Sequence, residues 1–376
     1  MLTSLNSSDG VVIVGAGIIG LNAALVLAKK GYGQSITVVA EYFPGDTSSS
    51  YTSPWWANPQ TRYCLKAVLL TRIRAGCNFS AISGTDANAL RWDRLGYEHL
   101  SELADKSPQE AYVHWTPSTE LWDQQVPRDK IQHMSEYLKD FRVLDESELP
   151  EGVQFAASFT TLTVNAPQHI KYLQQRLQNE YGVRFVRHKL LSIEAAYGPS
   201  TKVVFNCTGL ASATLLGVAD PKCYPTSGQV VLVRGPHIHT NMMRHGLHYE
   251  TYVIPRPGSN GNAILGGYMQ KGVSDGSTYA LETQSILARA RDLSPEVRLQ
   301  EPEVLAVFSG LRPSREGGAR VEREEVMVNG QSRVLVHNYG AGGTGFQAGY
   351  GMALESVAAV EDVLGGIGDK SLHPRL

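Results

Sequence analysis

Ten residues into the chain, the stretch Val11-Val12-Ile13-Val14-Gly15-Ala16-Gly17-Ile18-Ile19-Gly20 carries the first pattern with a definite chemistry. The three glycines follow G-x-G-x-x-G spacing, and each has a physical task. Gly15 permits a tight turn, Gly17 lets a pyrophosphate approach the backbone, and Gly20 lets helix and strand pack closely. The turn Gly15, Ala16, Gly17, Ile18, Ile19 and Gly20 then aims helix N–H groups at phosphate oxygens. Some twenty residues on, Glu41 stands where an acid binds ribose hydroxyls. The pattern predicts a bound dinucleotide. Cys64, Cys77, Cys207 and Cys223 lack C-x-x-C spacing, so they read as scattered thiols in a reducing, intracellular compartment, and no metal site is expected.

These residues need elements to hold them. The β-branched run before Gly15 predicts a buried parallel strand, and the Ala/Leu-rich run after it predicts a helix to about Lys30. A second strand spans 35–40. Further along, helices are expected over about 86–106, 168–178 with Pro167 in the first turn, 281–292 and 347–364. Strands are expected at 183–187, 203–206, 229–233, 251–255, 263–267, 321–328 and 333–337. The expected fold class is α/β: a Rossmann-like cofactor-binding domain (1–85, 160–226 and 308–376) interleaved with an antiparallel-sheet substrate domain (86–159 and 227–307).

The bulk properties exclude several classes. The chain has 376 residues, 42% hydrophobic and 19% charged, with a net charge of −2. That balance argues against nucleic acid or an anionic membrane as partner. Residues 10–28 approach the length of a membrane span, but the glycines and Asn22 interrupt them and no charged flanks follow. No signal peptide is visible. The tail Pro374-Arg375-Leu376 has the small–basic–leucine form of a peroxisomal address, so peroxisomal localisation through an import receptor is expected, with the cytoplasm otherwise.

Five motifs decide which dinucleotide is meant. They are the glycine fingerprint, Ser53-Pro54-Trp55, Asn206-Cys207-Thr208-Gly209, Tyr252-Val253-Ile254-Pro255 and Gly310-Leu311-Arg312-Pro313. In this order, from Val11 to about Val360, they resemble the D-amino-acid oxidase family, which includes D-aspartate oxidase. The resemblance implies non-covalent FAD. It implies oxidation of a D-amino acid to an imino acid, reduction of O₂ to hydrogen peroxide, and hydrolysis to a 2-oxo acid and ammonia. A homodimer is an expected assembly.

The resemblance also implies residue roles. Arg312 matches the arginine that clamps the substrate carboxylate, a task suited to the rigid two-donor fork of guanidinium. Tyr252 matches the tyrosine that bonds the same carboxylate, and Gln347 a glutamine near the substrate amine. Hydride passes from Cα to the flavin while the protein orients the substrate, so no strong base is required. Gly340, Gly342, Gly343, Thr344 and Gly345 would bring backbone near the flavin ring. Thr47, Ser48 and Ser49 would serve the pyrophosphate, and Leu190 the adenine. Cys207, Thr208 and Gly209 would line the cofactor. Arg256 reads as structural. If Arg244, His245 or His248 faces the pocket, acidic D-amino acids are favoured, as in D-aspartate oxidase.

One departure stands out. The family loop reads Ser-Pro-Trp-Ala-Gly-x-Asn, whereas here residues 56–74 separate Trp55 from Ala75-Gly76-Cys77-Asn78. This insertion is either a translated intron or a genuine loop over the flavin edge. In the second case the flavin contacts come from Ala75, Gly76 and Asn78, or from Trp56, Ala57 and Asn58. An inactive flavin-binding protein is the alternative function that the insertion raises.

Overall fold

Strand β1 (Val11–Val14) is buried along its whole length, which is why it reads as a continuous β-branched run and not as an alternating one. In the computed structural model, which describes residues 10–46, 48, 51–53, 77–80, 86–365 and 367, β1 lies inside a six-stranded sheet. On one side it pairs in parallel with β2 (Ile36–Ala40), and β2 with β7 (Arg184–Arg187). On the other side it pairs in parallel with β8 (Val203–Asn206), and β8 with β15 (Gln331–Tyr339). The antiparallel strand β14 (Arg320–Val328) closes that edge.

The helix Ile18–Leu27 follows β1 and is apolar on all sides, hence buried. It ends three residues before Lys30, because a wider turn over Ala28–Tyr32 contains Gly31 at φ +95°. Among the described residues no helix is long and apolar enough to cross a membrane. The helix Gly345–Ala358 lies against it: a Cβ at Gly349 would meet Asn22 Nδ2 and Ile19 Cδ1 at 3.1 Å.

The second sheet is larger. It comprises β3 (Cys77–Asn78), β4 (Val113–Trp122), β5 (Lys139–Val143), β6 (Phe155–Val164), β9 (Cys223–Arg234), β10 (Asn241–His245), β11 (Glu250–Pro255), β12 (Asn262–Lys271) and β13 (Glu303–Arg315). Their order is β13-β9-β12-β11-β10-β4-β6-β3, with β5 on β6. The β9/β12, β12/β11, β11/β10 and β4/β6 junctions are antiparallel, but β10 and β4 run parallel, so the sheet is mixed. Pro117 sits inside β4. It is tolerated because pairing with β10 begins only at Ser118, so the missing N–H faces no partner strand there.

The chain divides into two units: 1–46, 170–225 and 312–376 in the first, 47–169 and 226–311 in the second. Two of the expected boundaries move. A cut after residue 85 would part Cys77–Asn78 from β6, with which it pairs, and a cut at 159/160 would fall inside β6 itself. Thr47, Ser49, Trp56, Ala57, Asn58, Ala75, Gly76, the 56–74 insertion and the Pro374-Arg375-Leu376 tail lie outside the described residues.

Each face of the second sheet has its own packing. Val231, Val233, Val253, Ala263 and Leu265 bury one face against Ile286 and Ala290 of the helix Ala280–Leu293. The opposite face joins Val230, Leu232, Ile254, Ile264 and Phe308, with Tyr252 packed on them. At the far end of β10, the His245 ring stacks on Trp122 with centroids 4.7 Å apart. Its Nε2 lies 3.0 Å from Glu120 Oε2 and its Nδ1 2.8 Å from Glu250 Oε2. A ring with a carboxylate at each nitrogen donates from both and is therefore an imidazolium. Burial disfavours that charge, but the two carboxylates outweigh it and raise the pKa to about 9.

The folded-state value lies above the unfolded one, so this stabilisation is complete below about pH 6.5 and is lost as pH rises through the folded value. Between about pH 7 and pH 10 the melting temperature should therefore fall more steeply for the natural protein than for His245→Gln. Equal slopes in the two melting series would remove the imidazolium from the account.

Candidate functional site

The first unit gathers its candidate residues at the carboxyl ends of the parallel strands. Gly15 ends β1 at φ +112°, a backbone region that side chains rarely adopt. A Cβ there would stand 2.3 Å from the Cys207 carbonyl oxygen, and one at Gly20 would stand 2.0 Å from the Gly15 oxygen. Turn, helix and the β8 loop therefore meet backbone to backbone. β1 also has neighbours running to opposite sides, the switch point at which such sheets bind ligands.

The remaining loops close round this point. A Cβ at Gly209 would lie 3.6 Å from Pro313, and Gly342 N–H donates to the Pro313 carbonyl at 2.9 Å. A Cβ at Gly343 would lie 3.7 Å from Arg312 Cδ, and one at Gly345 would lie 3.5 Å from Ile18 Cγ2. The segment bearing Arg312 is held by its own neighbours. Arg315 Nε donates to Asp220 Oδ2 at 2.7 Å, and Tyr339 OH donates to the same oxygen at 2.8 Å. Burial would raise the Asp220 pKa, but these donors hold it down at about 2.

Two helices begin side by side here. Ile18–Leu27 starts from Gly17 and Gly345–Ala358 from Thr344, and neither start has a side-chain cap. Their positive ends thus converge where Gly345 meets Ile18. Gln347 is buried in the first turn of the second helix. On the next loop, Asn206 Oδ1 accepts from Thr208 N–H at 3.2 Å and from Thr208 Oγ1 at 2.8 Å, which fixes the Cys207-Thr208-Gly209 turn. At the end of β2, Glu41 pairs with Lys189 at 3.2 Å, beside Leu190. Both partners are exposed, so the pair is worth about 0–1 kcal/mol and leaves the carboxylate available to a ribose. Ser48 is described and accepts from Tyr51 N–H at 3.0 Å.

Tyr252 and Asn78 belong to the second unit. Asn78 Nδ2 donates to Met243 Sδ at 3.0 Å, and Met243 stands opposite Tyr252 in the β10/β11 register. The Tyr252 ring lies flat on β12: a Cβ at Gly266 would fall 2.1 Å from its Cε2 and Cζ and 2.4 Å from its hydroxyl oxygen. Gly266 was not among the expected site residues. A paired glycine inside a strand, Gly266-Gly267, is a sequence signal of close backbone approach that could have found it. Arg256 is buried, with Nε and NH2 donating to Asn165 Oδ1 at 3.1 and 3.0 Å.

Fold and site together define a dinucleotide-binding α/β protein that carries a second, mixed β-sheet. The family model described as FAD dependent oxidoreductase matches residues 10–358, and the chain belongs to that family. It is 42% identical to a D-amino-acid oxidase of Schizosaccharomyces pombe over 95% of this chain and 97% of that one. It is 30% identical to a D-aspartate oxidase of Cryptococcus neoformans, over 95% and 98%. Among solved structures, glycine oxidase from Geobacillus kaustophilus superimposes with a TM-score of 0.66 at 19% identity, covering 94% of each chain, which shows the fold.

The cofactor is FAD, and the residues fit it. The Gly15 turn leaves no room for a side chain, and two uncapped helix starts meet beside it, as an anionic pyrophosphate requires. Gly15→Ala would place a methyl group against the Cys207 carbonyl. The purified variant should lack the visible absorbance of bound flavin and melt at lower temperature. Full retention of flavin would show that the turn can relax.

Proposed function

We propose that the protein oxidatively deaminates D-amino acids to 2-oxo acids, releasing ammonia and hydrogen peroxide. The observation that carries this reading is the 42% identity to a D-amino-acid oxidase along 95% of the chain. Bound FAD supplies the two-electron acceptor for the Cα hydride and the centre at which O₂ is reduced to peroxide.

The protein's part is to hold and orient. Arg312, kept in place by the Pro313–Gly342 hydrogen bond and the Arg315–Asp220 pair, clamps the substrate carboxylate through two parallel N–H donors. In the second unit, Tyr252 offers its hydroxyl as a carboxylate donor. Gln347, buried in its helix, presents its amide to the substrate amine. The two converging helix starts would favour negative charge on a cofactor bound beside them. Gly15, Ala16, Gly17, Ile18, Ile19 and Gly20 would hold the pyrophosphate, Glu41 the ribose, and Leu190 the adenine. Cys207-Thr208-Gly209 and the Gly340–Gly345 loop would line the rest of the cofactor.

Peroxide release by FAD-loaded protein tests the reading, with D-alanine, D-asparagine, D-aspartate, glycine and L-alanine compared. Turnover of D- but not L-alanine is expected, and no peroxide from any D-amino acid would refute it. Arg312→Ala should lower kcat/KM by about 2–5 kcal/mol of transition-state binding, as for a truncated buried charge pair.

Gly266→Ala tests the seating of Tyr252. It should raise KM for the D-amino acid more than it lowers kcat, because the ring must lift from β12. In a Tyr252→Ala background the same substitution has no ring to displace and should add little. Equal effects in both backgrounds would make Gly266 merely structural.

A further inference from the structure

The turn Cys207-Thr208-Gly209 is fixed by the side chain that precedes it, and that side chain is in turn fixed by a histidine. Asn206 ends β8, is fully buried, and stands opposite His337 of β15 in the parallel register. Its Oδ1 accepts from Thr208 N–H at 3.2 Å and from Thr208 Oγ1 at 2.8 Å. Its Nδ2 lies 3.3 Å from His337 Nδ1 and 3.4 Å from Ser212 Oγ. On the other side of the ring, His337 Nε2 lies 3.0 Å from Glu324 Oε2 on the edge strand β14.

The protons of this chain of groups have one arrangement. A backbone N–H can only donate, so the Asn206 atom facing Thr208 is its oxygen and the group facing His337 is its NH2. The Thr208 hydroxyl donates to that oxygen, so at the 2.8 Å contact between the two hydroxyls Ser212 donates to Thr208. The Asn206 NH2 needs an acceptor, which places a lone pair on His337 Nδ1. The ring proton then sits on Nε2 and is donated to Glu324.

Only the neutral ring fits. An imidazolium would set an Nδ1–H against the Asn206 NH2. Reversing the amide would relieve that conflict, but it would turn the NH2 onto Thr208 N–H and break both Thr208 bonds. The charged groups near the ring are Glu324, Glu322, which is opposite it in register, and Arg320, all on β14. Tyr339 meets the ring edge-on with centroids 5.6 Å apart, and its hydroxyl leads on to the Asp220–Arg315 pair. The hydroxyl of Tyr197 is bonded to the Val334 carbonyl. β8 and the short turn Gly209–Ala213 carry no charge. The helix Gly345–Ala358 lies on the opposite face, where Asn338 Nδ2 donates to Ser356 Oγ at 3.1 Å. Glu324 and Glu322 favour the charged ring and Arg320 opposes it, but burial dominates and holds the His337 pKa below the ordinary histidine value.

We propose that Glu324, His337 and Asn206 form a relay that positions the Cys207-Thr208-Gly209 turn for FAD, and that a proton on His337 releases the turn and weakens cofactor binding. The relay rests on the reading that this turn lines the cofactor. Asn206 and His337 are positioning residues that act through Thr208. Glu324 is half exposed, so a surface carboxylate reaches the cofactor turn through one buried ring.

Dilution of FAD-loaded protein, with released flavin followed by its fluorescence, gives the FAD Kd at each pH. The neutral ring belongs to the bound state and the released state takes up one proton. Kd should therefore be level at high pH and rise below about pH 6.5, by up to about tenfold per pH unit. His337→Asn keeps an acceptor near the Nδ1 position and cannot take up a proton. It should bind FAD nearly as tightly as the natural protein at high pH and show no rise. His337→Phe removes the acceptor and should weaken FAD about tenfold at every pH, again with no rise. Glu324→Gln, at an exposed position, removes a carboxylate that favours the charged ring and should move the rise to lower pH. It serves if the buried variants do not fold. A Kd level with pH in the natural protein, a rise that persists in His337→Asn, or one unmoved in Glu324→Gln would overturn the relay. Failure of the natural protein to hold FAD at any pH would overturn the cofactor site itself.

Discussion

The contact of the Gly15 turn with the Cys207 backbone is the constraint on which the first unit depends. Strands β1 and β8 pair in parallel, so their carboxyl ends emerge together and their loops compete for the same space. A glycine at φ +112° with no side chain resolves the competition. Once the turn is that tight, the helix Ile18–Leu27 begins directly above the strand end. The second helix start, Gly345–Ala358, can then lie beside it, and the Pro313 segment is drawn against Gly209 and Gly342. The anion site and the placement of Arg312 thus follow from one close approach of two backbones.

The second unit rests on a different economy of space. Tyr252 needs a flat, bare surface, which β12 provides at Gly266 and Gly267. The neighbouring strands meet at a corner where His245 bonds both Glu120 and Glu250. Two acids from different strands need a cation between them to be buried, and the imidazolium supplies both donors and partial neutralisation. The same face therefore combines a seat for an aromatic ring with a histidine–carboxylate corner.

Much of the first unit was legible along the chain. β1, β8 and the fingerprint turn are local: strand pattern, glycine spacing and helix start lie within twenty residues of one another or repeat a single buried motif. The segments 107–159 were not legible as strands. β4 alternates poorly and contains Pro117, and its legality depends on where β10 stops pairing, a fact of another part of the chain. For the same reason the expected boundaries near 85 and 160 moved, since β3 and β6 owe their unit to partners far away in sequence. His245 was legible as a candidate for acidic substrates, and Arg244 with it. Alternation across β10 then put them on opposite faces, each against carboxylates.

The sequence by itself determined that a dinucleotide binds and, through the family its motif order resembles, implied FAD and which arginine and tyrosine are candidates for the substrate. These depend on backbone freedom and motif order, which are written locally. Only the tertiary structure decided which side chains share the Tyr252 face, that Gly266 must be bare, and that the histidine there is bonded to two carboxylates. Those outcomes depend on strand register and on partners more than a hundred residues away, as Glu120 is from His245. Burial makes those partners decisive, because whether a group removed from water keeps its charge depends on the neighbours that bond it.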